Sequence, residues 1–217
     1  MNSPRPYSPV PGPGQSLTER RKAATQLDIA RAACALFAEH GPDGTTAEDI
    51  ARRAGVALRT FYRYFRSKQD AVAPLLAGGG DEWRALLAAE EPGVALGPAI
   101  ERAVRGALSL PGGEEGLEWT RGLLRAAEED PALRAVWFRV NQESEDRLVP
   151  VLARLAGEDA DPLDVRLLAA AATDAIRVAL EVWAATDAPV AGPGSPAETA
   201  VRCLRTLTAS MPLVTGA

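Results

Sequence analysis

The sequence predicts an all-α protein, with a small N-terminal helical unit followed by a larger helical domain. Three observations predict this class. Helix starts recur: Ser16 with Glu19, Thr46 with Asp49 and Ser67 with Asp70 have capping-box spacing. Asp130-Pro131, Asp161-Pro162 and Ser195-Pro196 each pair an N-cap residue with Pro at the first helical position. Between these starts apolar residues recur three or four apart, and no segment shows the sustained period-two alternation of a half-buried strand.

Residues 1–16 contain five prolines and two glycines and have little to bury, so they read as a disordered arm. A helix follows to His40, with Ile29, Ala33, Leu36 and Phe37 on one face, and Gly41-Pro42 ends it. The Thr46 box opens a short helix to Ala54, Gly55 breaks it, and another short helix runs over 59–65. Ser67 opens the next helix, which Gly78-Gly79-Gly80 is expected to end as a flexible linker. The triplet is no phosphate loop, because no strand precedes it and no Gly-Lys-Ser/Thr follows.

Pro98 opens a helix to about Leu110, and Pro111-Gly112-Gly113 reads as a break. Further helices are expected over 117–129, over 131–156 with a kink at Pro150, from 162 to about 185 and from 196 to about 210. Two domains follow, 17–66 and 67–217.

Composition removes several functions. The chain has 217 residues, a net charge of −5 and one histidine, His40. Most histidine-based triads and zinc sites are excluded, and neither a metal nor a cofactor is expected. Cys34 and Cys203 make no disulfide scaffold. No apolar run approaches the eighteen or so residues of a membrane span. With no basic-then-apolar leader pattern, a cytoplasmic protein without membrane contact is expected. Charge is uneven: residues 1–70 hold 11 Lys/Arg and 7 Asp/Glu, whereas residues 71–217 carry a net −9. The basic first third suits a polyanion, although solvated surface charge gives the same count.

The informative stretch is Thr46 to Lys68. Ala51 stands where two helices cross closely, and Gly55 where a turn needs a positive φ. Ile50, Ala54, Val56 and Phe61 supply a shared small core. This is the helix-turn-helix pattern, in which the second helix enters a DNA major groove. Six basic and two acidic residues lie in 47–68, the charge that phosphate contact requires.

The string Gly55-Val56-Ala57-Leu58-Arg59-Thr60-Phe61-Tyr62-Arg63-Tyr64-Phe65-Arg66-Ser67-Lys68 closely resembles the tetracycline-repressor (TetR) family of transcription factors. Ala38-Glu39-His40-Gly41 and Thr45-Thr46-Ala47-Glu48-Asp49-Ile50-Ala51 match as well. The resemblance is specific over about 20–75. It implies that Thr46, Thr60, Tyr62, Tyr64 and Lys68 hold DNA phosphates, that Leu58 and Arg59 reach base edges, and that Glu48 approaches a base. Arg59 is the candidate for guanine readout and Leu58 for a thymine methyl. Each has a structural alternative: Thr46 as an N-cap, Tyr62 packed on the first helix. Ala57 stands where the family often has Ser, so the recognition helix loses a hydroxyl cap. Arg5, Arg20 and Arg21 form a candidate minor-groove arm or a solvated tail.

In the acidic remainder, the 163–185 helix carries two apolar stripes. One runs through Val165, Leu168, Ala172 and Ile176, the other through Leu167, Ala171, Ala175, Val178 and Val182. Together with Val201, Leu204 and Leu207 these predict a homodimer seam, and the resemblance implies the same four-helix packing. Family members usually sense a small-molecule effector. Trp119, Leu123, Trp137, Phe138, Asn141 and Gln142 offer walls for its cavity, or plain core. Thr173 and Arg177, one turn apart, offer a polar pair or a solvated stripe.

The sequence therefore predicts a homodimeric regulator that binds a double-stranded DNA operator, a repressor released by its effector. The rival is a helical enzyme or small-molecule carrier whose basic bundle is incidental. Adjacent acids such as Glu128-Glu129 point to different helix faces and make no catalytic pair. A third reading is sequence-neutral DNA packaging.

Overall fold

The computed structural model describes residues 16–109 and 113–215. The expected arm over 1–15, Arg5 included, and the Pro111-Gly112 break lie outside them. The described residues form helices and no strand. The helices are α1 (Leu17–His40), α2 (Ala47–Arg53), α3 (Leu58–Tyr64), α4 (Ala73–Ala88) and α5 (Leu96–Leu108). They continue as α6 (Glu114–Ala126), α7 (Pro131–Ala156), α8 (Pro162–Ala184), α9 (Pro196–Thr208) and α10 (Pro212–Thr215).

The caps form as their chemistry dictates. Ser16 N–H donates to Glu19 at 2.9 Å and Glu19 N–H to the Ser16 hydroxyl at 3.2 Å. The Thr46–Asp49 box closes the same way, with both backbone bonds at 3.1 Å. The Ser16 N–H holds the Glu19 carboxyl below its usual range, and the Thr46 hydroxyl and N–H do the same for Asp49. Asp130 and Asp161 cap α7 and α8 ahead of their prolines.

Ile29, Ile50 and Phe61 are fully buried where α1, α2 and α3 meet, and Ala51 is 2% exposed at their crossing. Gly55 takes φ 69° between α2 and α3, a conformation costly for any residue with a Cβ.

A short 3-10 turn, Asp70–Val72, leads into α4, and the expected box does not close. Asp70 N–H donates to the Ser67 hydroxyl at 3.1 Å, but the Asp70 carboxylate accepts from Arg66 N–H instead of Ser67, and the turn's N-cap is Gln69 with no side-chain cap bond. The Gly triplet is not a linker: α4 runs through it. Glycine in a helix interior costs about 1 kcal/mol relative to Ala, which local propensity weighs against the helix. Burial of Leu76, Trp83 and Leu87 on both sides of the triplet overrides that cost. At Gly80 the missing side chain is also a fit, because a Cβ would lie 3.0 Å from Ser144 Oγ on α7.

Helix α6 begins and ends about three residues earlier than expected. Asp130 must leave the helical conformation to cap α7, and two tight turns at Glu128 and Glu129 bring the chain there. Helix α7 is continuous through Pro150, which is exposed. Helix α10 was not foreseen. It is four residues long and packs on α5, where Val214 occupies the space a Gly97 side chain would need.

Several residues expected at a dimer seam belong to the chain's own core, Val201 at 2% exposed among them. Ala175 is 1% and Leu204 3% exposed. The apolar residues that α8 and α9 leave uncovered are Leu163, Leu167, Val182 and Leu207. Leu163, Leu167 and Val182 lie at spacings that keep them on one side of α8.

Candidate nucleic-acid interface and adjoining cavity

Helix α3 is fixed from beneath by Phe61, whose ring meets Tyr62 edge-on at 5.3 Å and Phe65 at 5.7 Å. Ala57 caps α3 with no side-chain bond, as the missing hydroxyl requires. The outer face carries Arg59, Tyr62 and Arg63, all exposed. Tyr62 is 55% exposed and so stands outward rather than packed on α1. Tyr64 is half-buried, and Arg63 covers it: the guanidinium lies 4.8 Å from the ring centre and donates to the phenol oxygen at 3.2 Å.

Thr60 is half-buried on the same helix, and Leu58 is half-buried against the core, leaving part of its side chain outward. Thr46 and Glu48 are exposed at the start of α2, the Thr46 hydroxyl already engaged by Asp49. Lys68 is half-buried below α3, and its charge acts on Asp130. Arg20 and Arg21 are exposed in the first turns of α1.

The sequence tally overcounts the charge available to phosphate. Arg52 is paired with Asp49, and Arg53 makes a two-pronged bridge to Glu39 at 2.6 and 2.7 Å. That bridge pins the end of α1 to the end of α2 and holds the Glu39 carboxyl below its usual range. Arg59, Arg63, Arg66 and Lys68 remain without a carboxylate at ion-pair distance among the described residues.

The residues singled out for a ligand separate into groups. Trp137, Asn141 and Thr173 line one cavity of about 70 Å³ beneath α4. Trp119 lines an adjoining one of about 110 Å³. Leu123 is 4% exposed in the core and lines neither. Arg177 also lines neither, and does not join Thr173. Its long side chain turns along α8 to Asp174 at 2.9 Å and Glu181 at 3.0 Å, over the ring of Phe138. Phe138 is 49% exposed, about 100° around α7 from Trp137, and Gln142 is exposed beside Asp146.

Sequence reasoning missed Gly79, Gly80 and Trp83 as cavity wall. The triplet itself was the signal, since a small residue inside a helix makes room. Cys34 is buried and its thiol is pushed up to about 12 by loss of solvent, which makes it inert packing. Cys203 is half-buried on α9.

Comparison with known proteins agrees along the chain. Residues 29–73 match the family described as bacterial regulatory proteins, tetR family, and residues 94–193 match the MftR C-terminal domain. The chain is 32% identical over 166 residues to the HTH-type transcriptional regulator TcmR of Streptomyces glaucescens, covering 74% of this chain and 72% of that one. It is 36% identical over 90 residues to the HTH-type transcriptional repressor Rv3405c of Mycobacterium tuberculosis, covering 39% and 48%. Among solved structures, FadR of Thermus thermophilus, a TetR-family repressor in complex with lauroyl-CoA, has the same fold. It superposes with a TM-score of 0.53 at 24% identity, covering 86% of this chain and 94% of that one. The chain thus belongs to the tetR family of bacterial regulatory proteins and is a DNA-binding transcriptional regulator, not an enzyme.

Proposed function

We propose that the protein acts as a homodimeric repressor that holds an operator with two α3 helices and lets go when a small molecule fills the cavity under α4. The observation that carries this reading is the double duty of α4. It packs on α1 of the reading head and, through Leu75, Gly79 and Gly80, walls the cavity. Helix α7 has a similar reach: Asp130 at its start accepts from Gln69 at 2.9 Å, and Arg139 pairs with Asp70. A ligand that fits only one arrangement of α4 and α7 shifts the population of head positions by its differential affinity.

Arg59 reads a base edge, Leu58 offers an apolar contact, and Thr46, Thr60, Tyr62, Tyr64 and Lys68 hold phosphates, with Glu48 near a base. The uncovered Leu163, Leu167, Val182 and Leu207 pack against their counterparts in a second copy, setting the reading heads one DNA turn apart. No helix among the described residues is long and apolar enough to cross a membrane. A regulator of this kind works where the chromosome is, in the cytoplasm.

Selection of bound duplexes from a random pool, followed by sedimentation of the complex, tests the reading. An inverted repeat with half-site centres about 10 bp apart, or a multiple, and two chains per duplex is expected. One chain per duplex, or a pool that enriches no sequence, refutes it.

A further inference from the structure

The two cavities adjoin as lobes on either side of a shared wall of Leu75, Gly79, Ala107, Leu108, Leu117 and Thr120, among α4, α5, α6, α7 and α8. Thr173 stands at its wall, 4% exposed, and its Oγ1 has no hydrogen-bond partner. Several other helical threonines do pair. Thr25, Thr120, Thr206 and Thr208 each return the hydroxyl to the carbonyl four residues back, at 2.9 to 3.0 Å. A buried hydroxyl left unpaired costs stability, and a ligand oxygen removes that cost. The second polar group in the wall is Asn141. One hydrogen of its Nδ2 goes to the Trp137 carbonyl at 2.9 Å, which leaves Oδ1 and the second N–H for a ligand. Thr173 and Asn141 can each donate or accept, which suits a hydroxyl.

The charges around the space do not suit an ion. Arg147 is held by Asp81 at 3.3 Å and by Glu143 at 3.4 Å. In the second lobe Arg31 lies beside Asp28 at 3.4 Å, and Glu82 and Glu115 line the same wall. Carboxylates outnumber guanidinium groups in both linings, so an anion would leave water for a wall of its own sign. A cation would find the carboxylates of the first lobe already engaged, Asp81 by Arg84 and Arg147 and Glu143 by Arg139 and Arg147, and would lose its hydration to go deeper among apolar walls.

Resting on the effector reading above, we propose that this cavity selects an uncharged, mostly apolar molecule bearing a hydroxyl group, held by Thr173 and Asn141, and rejects anions.

Calorimetry on the full chain with four matched probes tests it: naphthalene, 2-naphthol, 2-naphthoate and 2-naphthylmethylammonium. 2-Naphthol is expected to bind about tenfold more tightly than naphthalene, the value of one good hydrogen bond, and both ions more weakly than 2-naphthol. Thr173→Val keeps the shape and removes the hydroxyl, so it should erase the preference while naphthalene binding persists. Gly79→Leu should abolish binding of both neutral probes, since Gly79 lines both lobes and a Cβ there meets no atom within 4 Å. An ion binding best, a preference that survives Thr173→Val, unchanged binding in Gly79→Leu, or no binding of 2-naphthol at its solubility limit overturns the inference. Operator affinity is read in parallel. Binding in the expected order without DNA release upholds the cavity assignment and refutes the effector reading.

Discussion

Lys68→Ala and Arg53→Ala both remove one cation from the reading head, and the structure assigns them different consequences. Lys68 has no carboxylate at ion-pair distance among the described residues and, on the function proposed above, meets a phosphate. Arg53 is spent on Glu39 at 2.6 and 2.7 Å. In a dimer each substitution acts twice. If Lys68 neutralises one phosphate per protomer, the slope of log affinity against log salt flattens by about 1.8 in Lys68→Ala, at about 0.9 per phosphate. Between about 50 and 200 mM salt the variant then loses about twelvefold less affinity than the wild type. Arg53→Ala leaves the slope unchanged and instead lowers Tm, because the end of α1 comes loose from α2. Fluorescence anisotropy on a selected operator across a salt series measures both slopes. Equal flattening in the two variants refutes the division between free and paired cations. Arg59→Ala completes the set: it should weaken discrimination at one base-pair position by about 1–3 kcal/mol and affect other sites little.

Val182→Asp should sediment as a folded monomer, because Val182 is 51% exposed in the protomer, whereas Ala175→Asp should not fold, because Ala175 is 1% exposed; a dimeric Val182→Asp protein would move the seam elsewhere. Gly79→Ala should gain about 1 kcal/mol of helix propensity, seen as a rise of about 2–4 °C in Tm. Gly80→Ala should gain less, because its Cβ meets Ser144 Oγ at 3.0 Å, and equal gains would mean that the close approach is not a constraint. Glu101 is held below its usual pKa by its two-pronged bridge from Arg205, at 2.6 and 2.7 Å, which ties α5 to α9. A depressed folded pKa gives stability that is fully present above the unfolded pKa and lost as pH falls through the folded one. The Tm gap between wild type and Glu101→Gln should therefore be open at neutral pH and close in acid, and a gap independent of pH would refute the bridge.

What was legible in the sequence and what was not divides by the range of the chemistry. Capping boxes and cap-then-Pro pairs act within three residues, so Ser16, Thr46, Asp130, Asp161 and Ser195 marked their helix starts closely. The recognition unit was legible because Ala51, Gly55 and Phe61 satisfy a tight local geometry. The misreadings arose where a distant partner decides. Glycine propensity argued for a linker at 78–80, but packing of Leu76, Trp83 and Leu87 against other helices settled the segment as helix. Net charge over 47–68 counted Arg53 as free, since Glu39 lies 14 residues away on another helix. On α8, periodicity found two apolar stripes, but it is blind to which one the chain covers itself. That depends on the helices packed on α8, among them α9, α7 and α6, which together bury Ala175 and leave Leu167 and Val182 bare. The candidate ligand residues show the same limit at finer grain. Trp137 and Phe138 are neighbours in sequence, and Thr173 and Arg177 are one turn apart. Each pair is split between interior and surface because a helix turns about 100° per residue and a long arginine can reach away from its own Cα. The unpaired hydroxyl of Thr173 is the sharpest case. Its spacing is that of an ordinary core threonine, and only the absence of a bond to the preceding turn distinguishes it.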